Sequence, residues 1–291
     1  MTWKRVFTAA VLIPIVVSLV LYGGTPVVTL AVALITVLAL FEYFALGDAI
    51  GHRAYRFWTA TCSLLLLFIQ WALTFVRLGE FDGWIIPSAL RFLFSRVYAQ
   101  PGDVFFVFVL GIAAIMVFSR RPLVEGLPAA GISASGLLLV AFPLSYAVRL
   151  HAAGPQGPAL LLFAMVIIWA GDTAAYFVGR SIGRLPLAPH LSPKKTWEGS
   201  LASLIGSFVV AYFFSWWIYA PGFHLYGMAF AGNAAGQVGD LLESAYKRSA
   251  GVKDSGSLLP GHGGILDRID ALILAIPVVW YYWILIVPPS A

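Results

Sequence analysis

Between Ser244 and Asp270 the sequence gathers Lys247, Arg248, Lys253, Asp254, His262, Asp267, Arg268 and Asp270. Charge is scarce elsewhere: only 11% of the 291 residues are charged and 60% are hydrophobic. Asp267, Arg268 and Asp270 open an apolar run that continues to Val287. That sets them inside the edge of a bilayer, where an ionisable group is costly and marks function by default. Upstream, Asp240 and Glu243 close another apolar segment. Consecutive antiparallel segments return the end of one to the start of the next, so Asp240 and Asp267 are expected at similar depth. Asp270, one turn after Asp267, shares its helix face.

Carboxylates gathered at one depth call for a hard divalent cation, and Mg²⁺ takes one or two of them together with substrate phosphates. Lys247, Arg248, Lys253 and Arg268 suit an anion with several phosphates. His262, Gly263 and Gly264, at a helix start, would add backbone donors to the same anion, with His262 in a positioning role. Metal-assisted phosphoryl or nucleotidyl transfer needs this whole set, whereas a proton relay needs only the acids. Asp172, roughly 10 Å inside a helix end at 1.5 Å per residue, must be paired, protonated or bound to a cation. The loop carrying Ser192, Lys194, Lys195 and Thr196 adds cations and hydroxyls suited to phosphate. Neither a Gly-x-x-x-x-Gly-Lys-Ser/Thr loop nor a Gly-x-Gly-x-x-Gly turn after a strand occurs, which removes the two commonest nucleotide-binding folds.

The elements that position these residues are apolar helices. A composition this poor in charge, against roughly 25% in soluble domains, defines an integral membrane protein. Spans of roughly 20 apolar residues are expected at 6–22, 26–46, 57–76, 103–119, 133–150, 158–179, 200–220, 224–243 and 263–287. The expected fold is therefore all-α and polytopic, with about nine transmembrane helices. Of the loop Lys and Arg residues, 13 fall on one side and 4 (Arg77, Arg91, Arg96 and Arg149) on the other. The positive-inside rule then puts the N-terminus in the cytoplasm and the C-terminus outside. The net charge of +5 is thereby read as topology, and no nucleic-acid partner is implied.

Residues 1–291 form a single membrane domain in this reading, with scaffold helices in 1–157 and catalytic helices and cytoplasmic loops in 158–291. Glu42, near a cytoplasmic helix end, is expected to snorkel or pack. Residues 87–97 are expected to lie along the interface. Gly232 and Gly236 are expected to let helices approach closely. Cys62, alone in an apolar run, excludes an internal disulfide and is read as a buried hydrophobe.

At the charged stretch the sequence resembles the phosphatidate cytidylyltransferases, or CDP-diacylglycerol synthases. Their signature runs Ser-x-apolar-Lys-Arg, a spacer, Lys-Asp-x-small, then His-Gly-Gly-apolar-x-Asp-Arg-apolar-Asp. It falls here on Ser244, Lys247, Arg248, Lys253, Asp254, Gly256, His262, Gly263, Gly264, Asp267, Arg268 and Asp270. Tyr246 stands where the pattern usually has an aliphatic residue, Met or Phe. The runs Ser192 to Gly199 and Gly171 to Tyr176 also look like the family, so the match covers about 165–287.

The resemblance implies transfer of a cytidylyl group from CTP to phosphatidate, giving CDP-diacylglycerol and pyrophosphate, with Mg²⁺ and a second cation such as K⁺. It implies catalytic roles for Asp240, Asp267, Asp270, Lys253, Asp254 and His262, with Asp240, Asp267 and Asp172 as metal candidates. Phosphate contacts would come from Ser192, Lys194, Lys195, Thr196, Ser244, Lys247, Arg248, Arg268, Gly263 and Gly264. The setting would be a bacterial-type inner membrane with the site on the cytoplasmic side, among membrane lipids. Independently of the resemblance, the small and apolar residues of the second to fifth spans, which have no chemistry to explain them, lead to the expectation of a homodimer through the scaffold half. An ion-coupled secondary transporter and an isoprenoid-type lipid kinase are the alternatives. The first predicts charge near the midplane and related halves; the second uses ATP and releases no pyrophosphate.

Overall fold

A computed structural model of the chain describes residues 2–78, 99–258 and 263–287. The expected interfacial stretch 87–97 and His262 lie outside these described residues. The helices are α1 (Thr2–Tyr22), α2 (Thr25–Ala49), α3 (Arg56–Leu78), α4 (Pro101–Phe118), α5 (Leu123–Gly136), α6 (Phe142–His151), α7 (Gly157–Ile182), α8 (Trp197–Phe214), α9 (Gly222–Ser249) and α10 (Leu266–Leu285). A π-helical turn, Leu137–Ala141, joins α5 to α6 in one rod. The widened turn lies just ahead of Pro143, which has no N–H for the ladder.

Each segment expected to span falls on one of these rods. Among the described residues, seven are long and apolar enough to cross a membrane: α2, α3, α4, the α5–α6 rod, α7, α8 and α10. The architecture is that of an all-α polytopic membrane protein. The helix α9 is not among the seven, because Asn233, Gln237, Asp240 and Glu243 lower its hydropathy. Its polar side chains instead face protein. Asn233 is 1% exposed and Glu243 3% exposed, as polar groups in a bilayer must be.

Local signals start the helices where the sequence places them. Asp103 and Gln100 form a reciprocal capping box on α4, with Asp103 Oδ2 accepting the Gln100 N–H at 2.6 Å. Thr196 caps α8 by accepting the Gly199 N–H at 3.2 Å. Hydroxyls inside the apolar helices bond back to their own turns: Ser63 donates to the Thr59 carbonyl at 2.7 Å.

Two apolar clusters make the core. One joins α6, α7, α9 and α10 around Phe163, Ile167, Leu225 and Met228; the other joins α2 to α6 around Leu40, Phe44, Leu66 and Leu137. Both include residues of α10, Ala275 in the first and Leu266 and Ile273 in the second. This helix ties the scaffold half to the charged half. The free thiol Cys62 is buried in the second cluster, as expected.

One element departs from an all-helical reading. Residues 186–196 form a two-stranded antiparallel hairpin, β1 (Pro186–Ala188) with β2 (Ser192–Thr196), pairing Pro186 with Thr196 and Ala188 with Ser192. Glu198 pins it to α8 by accepting the N–H groups of Arg184 at 3.0 Å and Leu185 at 3.3 Å. The segment read from the sequence as a loop is thus a hairpin, and Lys194 and Lys195 sit on a strand.

Candidate active site

Two faces of α9 organise the site, one residue apart in sequence. Gly232, Gly236 and Gly239 form the first, at the i, i+4, i+7 spacing of one helix stripe. A methyl group added at Gly239 would come within 2.6 Å of the Asp270 carbonyl, and one at Gly236 would collide with Ile168. The missing side chains let α7 and α10 pack onto α9, as expected for Gly232 and Gly236. Asn233, Gln237 and Asp240 form the second stripe and face a cavity of about 710 Å³.

That cavity lies between α7, α8, α9 and the hairpin. Asp172 and Tyr176 enter from α7, Lys194, Lys195 and Thr196 from β2, and Ser200 and Ser203 from α8. The Lys195 ammonium pairs with Asp240 Oδ2 at 2.5 Å. Asp172 lies within electrostatic reach of Asp240, Lys195 and Arg268. Asp270, on the first turns of α10, interacts in the same way with Asp240, Glu243 and Asp172. Below the charges a hydrogen-bonded ladder crosses from α9 to α8. Gln237 Nε2 donates to Asn233 Oδ1 at 2.8 Å, Asn233 Nδ2 donates to Ser203 Oγ at 3.0 Å, and the Ser200 hydroxyl donates to Gln237 Oε1.

A second knot of charge lies beside the cavity, where α9 hands over to α10. The Asp267 carboxylate accepts four donors: Lys247 Nζ at 2.6 Å on Oδ1, and on Oδ2 the N–H of Ser255 at 3.0 Å, its hydroxyl at 3.1 Å and the N–H of Gly264 at 2.8 Å. Lys247 also pairs with Glu243, one turn earlier on α9. Gly263 has φ of +80°, a conformation that side chains resist, and this turns the chain so that the Gly264 amide reaches Asp267.

The structure therefore sorts the residues picked from the sequence. It brings Asp172, Lys194, Lys195, Thr196 and Asp240 to one cavity, with Asp270 and Arg268 within electrostatic reach of it. It gathers Asp267, Lys247 and Gly264 in the neighbouring knot. Three of the expected groups have protein partners in this structure. The backbone donors expected to be free at the start of α10 are occupied: Gly264 donates to Asp267, and the next two amides donate to Glu42. Lys247, expected on phosphate, lies between two carboxylates because it is buried with them on packed helices. Asp267, expected to share a cation with Asp240, spends its oxygens on the loop and on Lys247. Arg248 donates to the carbonyls of Leu191 at 3.3 Å and Val252 at 3.0 Å, tying the hairpin to the end of α9. Ser192 begins β2, Ser244 is buried in α9, and Lys253 and Asp254 lie exposed on the loop after α9.

Sequence reasoning missed Ser200, Ser203, Asn233 and Gln237. Their signal was the polar stripe 233, 237, 240, hidden behind the adjacent glycine stripe. It also missed the caps made by Glu42. Among the described residues, no three Asp, Glu, His or Cys side chains converge as a ready-made metal cage.

Fold and site together define a polytopic helical membrane protein with a charged cavity lined by a hairpin lysine pair and helix carboxylates. Its sequence matches the model of the Cytidylyltransferase family over residues 3–286. The chain belongs to that family. It is 34% identical over 299 residues to a phosphatidate cytidylyltransferase of Synechocystis sp., covering 99% of this chain and 98% of the relative. It is 32% identical over 238 residues to one from Brucella suis, covering 78% and 83%. Over 137 residues it is 43% identical to one from Haemophilus influenzae, a match spanning 44% of this chain and 46% of that relative.

Proposed function

We propose that this protein transfers a cytidylyl group from CTP to phosphatidate, and that the reaction occurs in the cavity lined by Asp172, Lys194, Lys195 and Asp240. The observation that carries the reading is a polyphosphate-sized cavity with paired lysines facing helix carboxylates, in a chain of the cytidylyltransferase family. A phosphate oxygen of the lipid attacks the α-phosphorus of CTP. The new P–O bond forms as the bond from that phosphorus to the bridging oxygen breaks, and pyrophosphate leaves. A phosphate monoester has a second pKa of about 6, so at neutral pH the nucleophile is already a dianion and needs no general base.

Lys194 and Lys195 bind the triphosphate as point charges. Thr196 and Ser200 add hydroxyl donors on the same wall. The apolar part of the lining, Ile168, Leu187 and Ala271, meets the lipid end of the acceptor. Two carboxylates lining one cavity fit Mg²⁺, which takes one or two protein oxygens and completes its shell from phosphates and water. Asp240 and Asp172 would hold it, with Asp270 behind them, and when bound it would neutralise charge on the triphosphate. A second cation such as K⁺ remains part of the proposal, in the field of the same acids.

The test is pyrophosphate release by the purified protein with phosphatidate present. CTP should support it, and ATP should not substitute. Release with ATP in place of CTP, or none with any nucleotide, would reject the reading. Lys194→Ala should raise the KM for CTP about tenfold with kcat changed less than about threefold, because a charge on phosphate acts in ground and transition state alike. Steady-state kinetics over a CTP series checks this.

The 13-to-4 loop Lys/Arg count supports a site on the cytoplasmic side of an inner membrane and an outward C-terminus. Cysteines placed at Ser192 and at the exposed Ser257 should be shielded from an impermeant thiol reagent in intact cells, while one at Ser290 should react. The reverse pattern would invert the topology and the side of the site together. A homodimer through the scaffold half remains part of the proposal, supported by the apolar surface of α4 and α5, where Phe106, Val109, Phe118 and Leu127 are exposed. Mass measurement in mild detergent showing one chain alone would reject it.

A further inference from the structure

Glu42 lies on α2, in the half of the chain that, among the described residues, contributes nothing else to the charged sites. Its carboxylate accepts the Ile265 N–H on Oε1 at 3.0 Å and the Leu266 N–H on Oε2 at 2.8 Å. The Ser255 hydroxyl lies 3.1 Å from Oε2 and 3.1 Å from Asp267 Oδ2, so its one proton is shared between the two carboxylates. These amides belong to the N-terminus of α10, where a helix leaves four donors without partners and where a negative charge is favoured by the helix dipole. No side chain of α10's own N-cap residue, Ile265, serves them. The cap comes instead from a residue more than 220 positions earlier in the chain.

The surroundings are shaped for that carboxylate. A Cβ on Gly256 would come within 2.6 Å of Oε1, and a Cβ on Gly264 would collide with Oε2. Two glycines of the charged stretch thus leave room for an acid delivered from the scaffold half. Ser255 and Gly264 also donate to Asp267, so Glu42 and Asp267 hold the same loop. Just past this loop, the first turn and a half of α10 carries Arg268 and Asp270 toward Asp172 and Asp240.

We propose that Glu42 is a positioning residue for the reaction: by capping α10 from a distant helix it fixes the start of α10, and hence the register of Asp267, Arg268 and Asp270 against the cavity. The inference rests on the cytidylyl-transfer reading of that cavity. Because the cavity walls that hold CTP come from α7, β2, α8 and α9, loss of the cap perturbs the α10 side without touching the nucleotide-binding side.

The test compares wild type with Glu42→Gln, Gly264→Ala, Gly256→Ala and the double variant Glu42→Ala/Gly264→Ala, each by steady-state kinetics and thermal unfolding in detergent. Glu42→Gln keeps shape but turns an NH2 donor toward an amide donor. It should lower kcat about 10- to 100-fold while the KM for CTP stays within about threefold. Gly264→Ala and Gly256→Ala keep the acid but displace it, and should give the same split. In the double variant the added methyl occupies space that the acid has left, so its kcat should be no lower than that of Gly264→Ala alone, a non-additivity expected only for groups in direct contact.

If every variant that folds keeps the wild-type kcat, or if none folds, Glu42 serves assembly alone and the proposal is overturned. A rise in the KM for CTP at constant kcat would overturn it as well. Wild type is measured first, so absence of CTP-dependent pyrophosphate release there rejects the function reading and not the role of Glu42.

Discussion

Asp240→Asn is expected to insert and fold, and to lose turnover by about two to three orders of magnitude. The substitution keeps the shape of the side chain and removes the charge that faces Lys195 across 2.5 Å. Two consequences reinforce each other. Asn cannot hold a hard cation with the strength of a carboxylate, and Lys195 loses the partner that fixes its ammonium in the cavity. Both side chains are about a third exposed to the cavity or less, so the pair is partly solvated and its loss does not threaten the fold. Raised Mg²⁺ should restore only part of the activity. Rates across an Mg²⁺ series, with thermal unfolding as the fold control, check the prediction; near-normal turnover at low Mg²⁺ would remove Asp240 from the chemistry and leave Asp172 as the next carboxylate to test.

Asp267→Asn is expected to behave differently, although the two acids look equivalent in sequence. Asp267 and Lys247 are 8% and 12% exposed as side chains, and four donors converge on the carboxylate. An amide there sets its NH2 against donors and removes the negative charge, so that the buried Lys247 keeps only Glu243 as a charged partner. Breaking one partner of a buried, hydrogen-bonded ion pair costs about 3–5 kcal/mol. The variant should therefore unfold at a clearly lower temperature and also lose activity, because the loop before α10 loosens. A thermal midpoint equal to wild type would show that the four bonds contribute little and would return Asp267 to the role of a simple cation ligand.

The contrast between these two acids shows what the sequence could and could not carry. Asp172, Asp240 and the Lys194–Lys195 pair were legible because charge in an apolar chain is expensive and has few reasons to persist. The helices were legible from apolar run length alone. The partners of Asp267 were not, because three of its four donors are on a loop, two of them backbone amides, and backbone donors leave no trace in residue type. The capping role of Glu42 was not legible for the same reason. Its partners are amides brought near by tertiary packing, and an acid near a helix end also fits a snorkelling role. Lys247 and Arg248 show the limit from the other side, since charge indicates that a partner exists without saying whether it is a phosphate or the protein's own carboxylates and carbonyls. The hairpin at 186–196 was missed because a strand of three residues beginning with proline carries no alternation to detect.

One bond change defines the proposed reaction, at the α-phosphorus of CTP, with the lipid phosphate as acceptor. Its most direct test is the fate of label when the purified protein turns over phosphatidate with CTP labelled at either the α- or the γ-phosphorus. Cytidylyl transfer predicts that α-label passes into an organic-soluble lipid product, one for one with pyrophosphate released, and that γ-label appears only in pyrophosphate. Transfer of γ-label to lipid would define a kinase, and retention of both labels in intact CTP would contradict the proposed chemistry altogether.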